Sequence, residues 1–415
     1  MKWFIALLVG LVVTSCCIER PKITCYYSNG TRITDSTHLR LIYRQLPHLL
    51  SQERIDSADL KIYTSLKPHV NKALTAQAIR LQDSIYPYIK WEHRETKAWL
   101  DSLKKLNQFL NVGVVAIDNK SGQVVIHYSS KSNASGDFVT NRGPIGGMNK
   151  TLLYALAMQQ EFTPFDRYPQ MKQVPDGDYD DLVPDSTIDR SFLRTFGFSF
   201  NGTPPKGLAQ RYSSKQAYAS LLLLMREGYI ENYDNSFYLF DAQLSLFDLT
   251  KTWSAFYNKG IRNDPTVINR IIDVNHKELY RRKAHSTRIL DEQTAEEMLH
   301  LLDFSAHLGH GTFIHLHFPE APDFIGNIGG FGFRNNSGIF ISITKDYTIG
   351  VKCVPAYPRI RINEPDNLVP IPFVIPFWLK STEKLRIDKT HKNRNPKPLY
   401  RYVTVLEDEV PEIEI

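Results

Sequence analysis

Apolar positions recur along the chain at two spacings, one typical of helices and the other typical of strands. Spacings of three and four predict helices, over residues 38–54, 68–85, 92–110, 151–161, 213–225, 245–259 and 291–302. Short apolar runs bounded by turn residues predict strands, over residues 59–66, 112–118, 123–128, 266–273, 276–280, 325–330, 338–344 and 348–354. Residues 163–205 have little periodicity, and residues 369–378 form a last apolar segment. Helices and antiparallel strands alternate unevenly, which predicts an α+β fold.

The first fifteen residues have the pattern of a secretory signal. Lys2 precedes an apolar run from Trp3 to Val13 that is too short to span a bilayer comfortably. The following Thr14-Ser15-Cys16 completes a sequence that resembles a bacterial lipobox, in which the cysteine is lipidated after cleavage. We therefore expect residues 1–15 to be a lipoprotein signal peptide and Cys16 to anchor the chain to a membrane of the bacterial envelope, facing the periplasm or the exterior. An ordinary cleaved signal and an uncleaved anchor are the alternatives.

Charge and cysteine content narrow the possible classes of function. The 50 Lys and Arg residues exceed the 44 Asp and Glu residues by too little, and too diffusely, to favour a nucleic-acid partner. The four cysteines match neither a metal-site spacing nor a disulfide framework. His310, His315 and His317 lie close in sequence, and the last two would share one face of a strand. Because the sequence places no fourth ligand, a polar strand face is the preferred reading. No metal and no cofactor are expected.

Three short patches carry the candidate chemistry. Lys150 follows a glycine-rich turn and lies three residues after Gly147, so that both share the first turn of an apolar helix. A serine at position 147 would complete the S-x-x-K pair of acyl-transferring serine enzymes. The second patch is Ser213-Ser214-Lys215, 66 residues after Gly147, and the third is Asn327-Ile328-Gly329, 114 residues after Ser213.

The ordered set of patches resembles the transpeptidase domain of the penicillin-binding proteins, in particular the bifunctional class without its glycosyltransferase. That family has S-x-x-K, S-x-N and K-T-G motifs in this order, and the hairpin at residues 112–128 resembles the one that opens its domain. The resemblance implies an antiparallel sheet with flanking helices and a helical subdomain. It also implies the following domain boundaries: a tether and short helical segment at 16–54, a linker strand and helices at 55–110, a transpeptidase-like domain at 111–380 and a charged tail at 381–415.

Each motif departs from the family pattern. Gly147 offers no nucleophile, Lys215 replaces the asparagine that binds the substrate amide, and Asn327 replaces the lysine of the third motif. In the same motif Ile328 replaces the threonine of K-T-G and Gly330 replaces the threonine that follows it, so that only Gly329 matches. No catalytic residue is therefore expected at the degenerate site positions Gly147, Lys150, Ser213, Lys215, Asn327 and Gly329.

Three hypotheses follow from the resemblance. The first is a catalytically inactive envelope lipoprotein that binds peptidoglycan stem peptide or a cell-wall synthesis protein, with Lys150, Ser213, Lys215 and Asn327 as ligand-binding residues. If Lys150 and Lys215 face one cleft, their charges repel each other unless an anion lies between them. This favours a ligand that carries a carboxylate. The second is a residual serine acyl-transferase or hydrolase that uses Ser213. The third is a structural partner whose pocket is filled by its own side chains.

Overall fold

The structure of the protein is a computed structural model that covers most of the chain between residues 22 and 386. It describes residues 22–85, 89–90, 98, 101–102, 105, 110–130, 136–160, 162–173, 182–197, 243–309, 311–331, 337–355, 361–362 and 371–386. These residues divide into two compact units. The first unit comprises residues 22–26, 30–64 and 268–282, and the second comprises the remaining described residues.

Nine helices and seventeen strands are found in the described ranges. The helices are α1 (Ser36–Gln45), α2 (Gln52–Ser57), α3 (Pro68–Ile85), α4 (Asn149–Gln160), α5 (Phe192–Gly197), α6 (Leu246–Tyr257), α7 (Glu292–His307), α8 (Thr312–His317) and α9 (Ile371–Leu385). The strands are β1 (Ile23–Tyr26), β2 (Leu60–Thr64), β3 (Ile89–Lys90), β4 (Leu110–Asp118), β5 (Val124–Ser129), β6 (Gly143–Pro144), β7 (Arg167–Gln173), β8 (Leu182–Ser191), β9 (Gln243–Leu244), β10 (Ile261–Asn263), β11 (Ile268–Asp273), β12 (Glu278–Arg281), β13 (Ser286–Arg288), β14 (Ile325–Phe331), β15 (Ser337–Ile343), β16 (Tyr347–Pro355) and β17 (Arg361–Ile362).

The first unit is built on a four-stranded sheet with the order β1-β2-β11-β12. β1 runs parallel to β2, whereas β11 is antiparallel to both of its neighbours. Asp35 caps α1, because its carboxylate accepts the backbone N–H groups of Thr37 and His38. The single helix predicted over residues 38–54 is wrong. Pro47 lies in a 3-10 turn after α1, and the shorter α2 follows this turn.

The second unit contains a five-stranded antiparallel sheet with the order β14-β15-β16-β4-β5. The predicted hairpin forms β4 and β5, and Asp118 stabilises its turn by accepting the N–H and the hydroxyl of Ser121. On one face, buried side chains of α3 and α9 join those of the strands in one apolar core that includes Phe340 and Trp378. The opposite face is covered by α6, which contacts β16 and β4.

Gly350 allows α6 to lie this close to the sheet. A Cβ atom at residue 350 would overlap the Oγ1 atom of Thr250 and come within 3.1 Å of Cδ1 of Leu246. Residue 350 is therefore a glycine because α6 lies too close to strand β16 to leave room for a side chain there.

The α+β class and most of the predicted elements are confirmed. The helix predicted over residues 68–85 has the predicted bounds, and the three successive strands near the end of the sheet are β14, β15 and β16. Residues 163–205 contain β7, β8 and α5 despite their weak periodicity, and the apolar segment at 369–378 belongs to a helix. The helix predicted over residues 213–225 and most of the one predicted over 92–110 lie outside the described residues, and Leu110 begins a strand.

Candidate active site

The first motif lies where a short strand passes into an apolar helix. After β6, Gly146–Met148 form a 3-10 turn, and α4 begins at Asn149. Gly147 therefore lies in the turn just before α4, and Lys150 is the second residue of the helix. Strand β14, which carries Asn327 and Gly329, contacts the same turn. The fold thus brings the first and third motifs together.

Lys150 is almost completely enclosed by protein, with 5% of its surface exposed. Burial penalises the ammonium form and lowers the pKa of Lys150 from 10.5 to about 8. An amine in this pKa range can exchange a proton near neutral pH. Gly147, however, places no hydroxyl or thiol beside it.

The third motif lies on an edge strand of the described sheet. β14 pairs with β15 alone, with Asn327 opposite Ile341 and Gly329 opposite Ile339. An edge strand can accept an extended peptide through backbone hydrogen bonds. The strand backbone beside the 3-10 turn is therefore a candidate peptide-binding edge.

Three of the predicted site residues lie outside the described part of the chain. They are Ser213 and Lys215 of the second motif and the proposed lipidation site Cys16. Their roles remain predictions.

A second buried lysine near the first motif was missed in the sequence. Lys352 of β16 is 4% exposed, and burial lowers its pKa to about 8. The Nζ atom of Lys352 lies 5.4 Å from the ring centre of Phe138. A Cβ atom added at Gly143 would be 3.1 Å from the same Nζ atom. Lys352 thus lies beside β6, the strand that leads into the turn containing Gly147. The sequence signal for a buried lysine was its place among apolar residues, between Val351 and Val354.

A third buried lysine is held in a charged network at the start of α6. Lys251 Nζ lies 2.8 Å from Asp248 Oδ1, and the hydroxyl of Ser245 donates to Asp248 Oδ2 at 2.6 Å. Ser245 also accepts the backbone N–H of Asp248 and so caps the helix. Because Leu244 pairs with Gly143, this network is next to the strand that leads into the first motif.

The loop before β6 is fixed by a buried histidine–aspartate pair. His127 Nε2 lies 2.8 Å from Asp137 Oδ2, and the hydroxyl of Thr140 and the backbone N–H of Val139 also donate to Asp137. Burial alone would raise the pKa of Asp137, but these donors, with His127 foremost, lower it to about 2. Asp137 therefore holds the loop as a carboxylate at all ordinary pH values.

The expected strand with His315 and His317 on one face is wrong, since both belong to helix α8. His315 stacks on Phe324 and on His307, with ring centres 5.3 and 5.8 Å apart. The Asp303 carboxylate, 3.0 Å from Nδ1 of His307, and the Asp323 carboxylate, which accepts from Nε2 at 2.7 Å, raise the pKa of His307 to about 10. His307 is thus an imidazolium that joins the end of α7 to the residues before β14, while His310 lies outside the described residues.

Metal-binding clusters and membrane-spanning helices are both absent from the described ranges. No group of three His, Cys, Asp or Glu side chains there is arranged to hold a metal ion. No helix within these ranges is both long enough and apolar enough to cross a bilayer.

The chain is similar to known proteins in its fold, whereas its sequence matches none of those compared. No protein-family model and no curated protein sequence matches the chain. Among solved structures, the penicillin-binding protein PonA1 from Mycobacterium tuberculosis is similar, with a TM-score of 0.66 and 15% identity over 87% of this chain and 93% of that chain. Penicillin-binding protein 1A from Haemophilus influenzae has a TM-score of 0.68 and 11% identity over 88% of this chain and 72% of that chain.

A third similar structure is an isolated domain. The D,D-transpeptidase domain of a peptidoglycan glycosyltransferase from Eggerthella lenta has a TM-score of 0.60 and 11% identity, covering 88% of this chain and 98% of that chain. Identity at this level carries the fold and not the activity. The chain has the fold of a penicillin-binding-protein transpeptidase domain.

Proposed function

We propose that this protein is a catalytically inactive, penicillin-binding-protein-like lipoprotein of the bacterial envelope that binds peptidoglycan stem peptide or a cell-wall synthesis partner. The observation that carries the proposal is the combination of Gly147 with the buried Lys150 on a transpeptidase fold. In the family that the sequence resembles, a serine at the position of Gly147 attacks the acyl donor. Without that side chain, no acyl-enzyme forms at this position.

Binding without catalysis is supported by what the site keeps. The turn containing Gly147 lies beside β14, which pairs with β15 alone among the described strands, and an edge strand of this kind can receive an extended peptide. Lys150 supplies a cation at neutral pH, since burial lowers its pKa only to about 8. A peptide that ends in a carboxylate suits this combination of a cation and a strand at the edge of the described sheet.

The experiment is titration of the protein with a soluble stem peptide that ends in D-Ala-D-Ala, followed by calorimetry. We expect saturable binding that weakens at least about fivefold in Lys150→Met, because one charge-assisted contact contributes roughly 1–3 kcal/mol. Lys120→Met, which removes a lysine from the exposed hairpin turn, is the matched control and leaves the affinity unchanged. Absence of binding in wild type rejects the stem peptide and leaves the cell-wall synthesis partner as the ligand.

A residual enzyme that uses Ser213 is the second candidate. The lowered pKa of Lys150 favours it, because such an amine can accept a proton from a nearby hydroxyl. This candidate requires covalent acylation of Ser213, which binding alone does not produce.

A further inference from the structure

The sheet of the first unit has one buried face and one partly exposed face. Strand β2 buries Leu60 and Ile62 on one face, while Lys61 and Tyr63 point to the other and stay partly exposed. In β1, Cys25 is opposite Ile62 and is also buried, whereas Tyr26 is opposite Tyr63 and is partly exposed. The face with Lys61 and Tyr63 is therefore the outer face of the sheet.

One row of side chains crosses this outer face from the first strand to the last. Tyr26 of β1 is opposite Tyr63 of β2, and their rings stack with centres 5.2 Å apart. Arg270 of β11 is opposite Tyr63 and places its guanidinium 4.6 Å from the centre of that ring. Arg281 of β12 is opposite Arg270 and has 64% of its side chain exposed. Directly opposed residues share a face, so the four form a continuous tyrosine–arginine row.

The tip of the β11–β12 hairpin extends this surface with apolar and basic groups. Val274 is 50% exposed, and Lys277, three residues later, is also exposed. The backbone N–H of Lys277 donates to Asp273, which closes the turn and leaves the side chain at the surface. The tip thus presents an apolar side chain next to a cation.

The unit as a whole is basic. Its residues 22–26, 30–64 and 268–282 contain ten Lys and Arg against six Asp and Glu, a net charge of +4 out of +6 for the entire chain. One of the six carboxylates, Glu278, is bound to Arg281 on the row itself. The unit therefore carries most of the net charge of the protein in a small part of its length.

We propose that the tyrosine–arginine row and the hairpin tip rest on the anionic headgroups of the membrane surface. Tyrosine rings are favoured at the boundary between water and lipid, and basic residues are attracted to anionic lipids. An exposed branched side chain such as Val274 can enter the headgroup region. Together these groups provide the apolar and the electrostatic contacts that a lipid surface requires.

The position of the unit in the chain agrees with this surface. Ile23 is seven positions after Cys16 in the sequence, and an extended segment of that length spans at most about 25 Å. If Cys16 carries the proposed lipid anchor, β1 begins within that distance of the bilayer. The orientation rests on this proposed anchor, whereas the attraction to anionic lipid does not.

Vesicle co-sedimentation tests the proposal with the chain from residue 18 onward, which lacks the anchor and keeps every described element. Vesicles of phosphatidylcholine are compared with vesicles that also contain phosphatidylglycerol. We expect binding to the anionic vesicles only, and its loss as salt is raised. Lys277→Ala/Arg281→Ala should weaken binding about 25-fold, since each basic residue near the surface contributes roughly a factor of five.

A matched variant separates the surface from the overall charge. Arg40→Ala/Arg44→Ala removes the same charge from exposed positions on α1, which is not part of the tyrosine–arginine row, and should change binding by less than about threefold. Equal loss in both variants, or anionic vesicles that fail to bind wild type, would overturn the proposal. In that case the charges on edge strand β12 serve only to prevent pairing with other sheets. Because the transpeptidase-like site lies in the other unit, failure of this test leaves the proposed inactivity standing.

Discussion

Gly147 and Lys150 lie three positions apart across the junction of a 3-10 turn and α4, and Lys150 is buried there with a lowered pKa. An amine with this burial could take a proton from a hydroxyl at position 147, but Gly147 has no side chain.

Replacing Lys150 tests whether its burial carries an energetic cost. Its folded pKa of about 8 lies below the unfolded value of 10.5, so the unfolded state binds more protons between these values. The cost is fully present below about pH 8 and disappears as pH rises through 10.5. We expect Lys150→Met to raise the free energy of unfolding by about 1–3 kcal/mol near pH 7. Urea unfolding near pH 7 and near pH 10 should show this gain shrinking at the higher pH.

The exposed Lys120 provides the control for that measurement, since Lys120→Met should leave stability nearly unchanged at both pH values. A gain in Lys150→Met that does not depend on pH would mean that better packing, and not removal of a buried charge, is its cause.

The His127–Asp137 pair predicts a second stability change that depends on pH, in the acid range. The pKa of Asp137 is about 2 in the folded protein against an ordinary 3.8, so its contribution is present above about pH 4 and is lost as pH falls through 2. Asp137→Asn should lower the free energy of unfolding by about 2 kcal/mol near pH 7. Thermal unfolding from pH 7 downward should bring wild type and variant together near pH 2. Asp346→Asn, at an exposed turn, is the control.

Gly350 should tolerate no side chain while Thr250 is present. Gly350→Ala forces the new methyl group against Thr250 Oγ1 and should destabilise the protein by about 1–3 kcal/mol. Thr250→Ala in the same chain removes that atom and should recover part of the loss, which a double-mutant cycle of urea unfolding measures. Strictly additive effects would show that the two residues are not in contact.

Returning a serine to the first motif tests how much of the site is preserved. Gly147→Ser places a hydroxyl three residues before the buried Lys150, and we expect slow covalent labelling by a fluorescent penicillin. Lys150→Met added to this variant should abolish the label. Gly146→Ser, a serine one residue earlier in the same turn, is the control and should stay unlabelled. No label in Gly147→Ser would contradict this expectation and would mean that the other departures from the family motifs are enough to prevent acylation.

Much of the fold could be read from the sequence because its helices and strands bury regular apolar stripes. The helix at 68–85 and the β4–β5 hairpin have strong periodicity, and the structure contains both. The strands β7 and β8 were missed, since residues 163–205 are dominated by Pro, Asp and Gly and give no period. The helix at 38–54 was overextended, because its apolar spacing continues through Pro47 while its backbone hydrogen bonding cannot.

The site was predictable in part. The order of the three motifs gave the fold, and the structure places Gly147 next to the strand that carries Asn327. Lys352 was not predicted because its approach to Gly143 joins strands that are more than 200 residues apart in sequence. Contacts of that kind depend on how the sheet closes and leave no local pattern.

Labelling of the wild-type protein with a fluorescent penicillin tests the absence of acyl-transfer chemistry most directly. The chain from residue 18 onward and its Ser213→Ala variant are incubated with the reagent, denatured and examined for covalent fluorescence. We predict no label on either protein, because Gly147 offers no nucleophile beside Lys150. A label on wild type that disappears in Ser213→Ala would contradict the account and identify a serine enzyme with a relocated nucleophile.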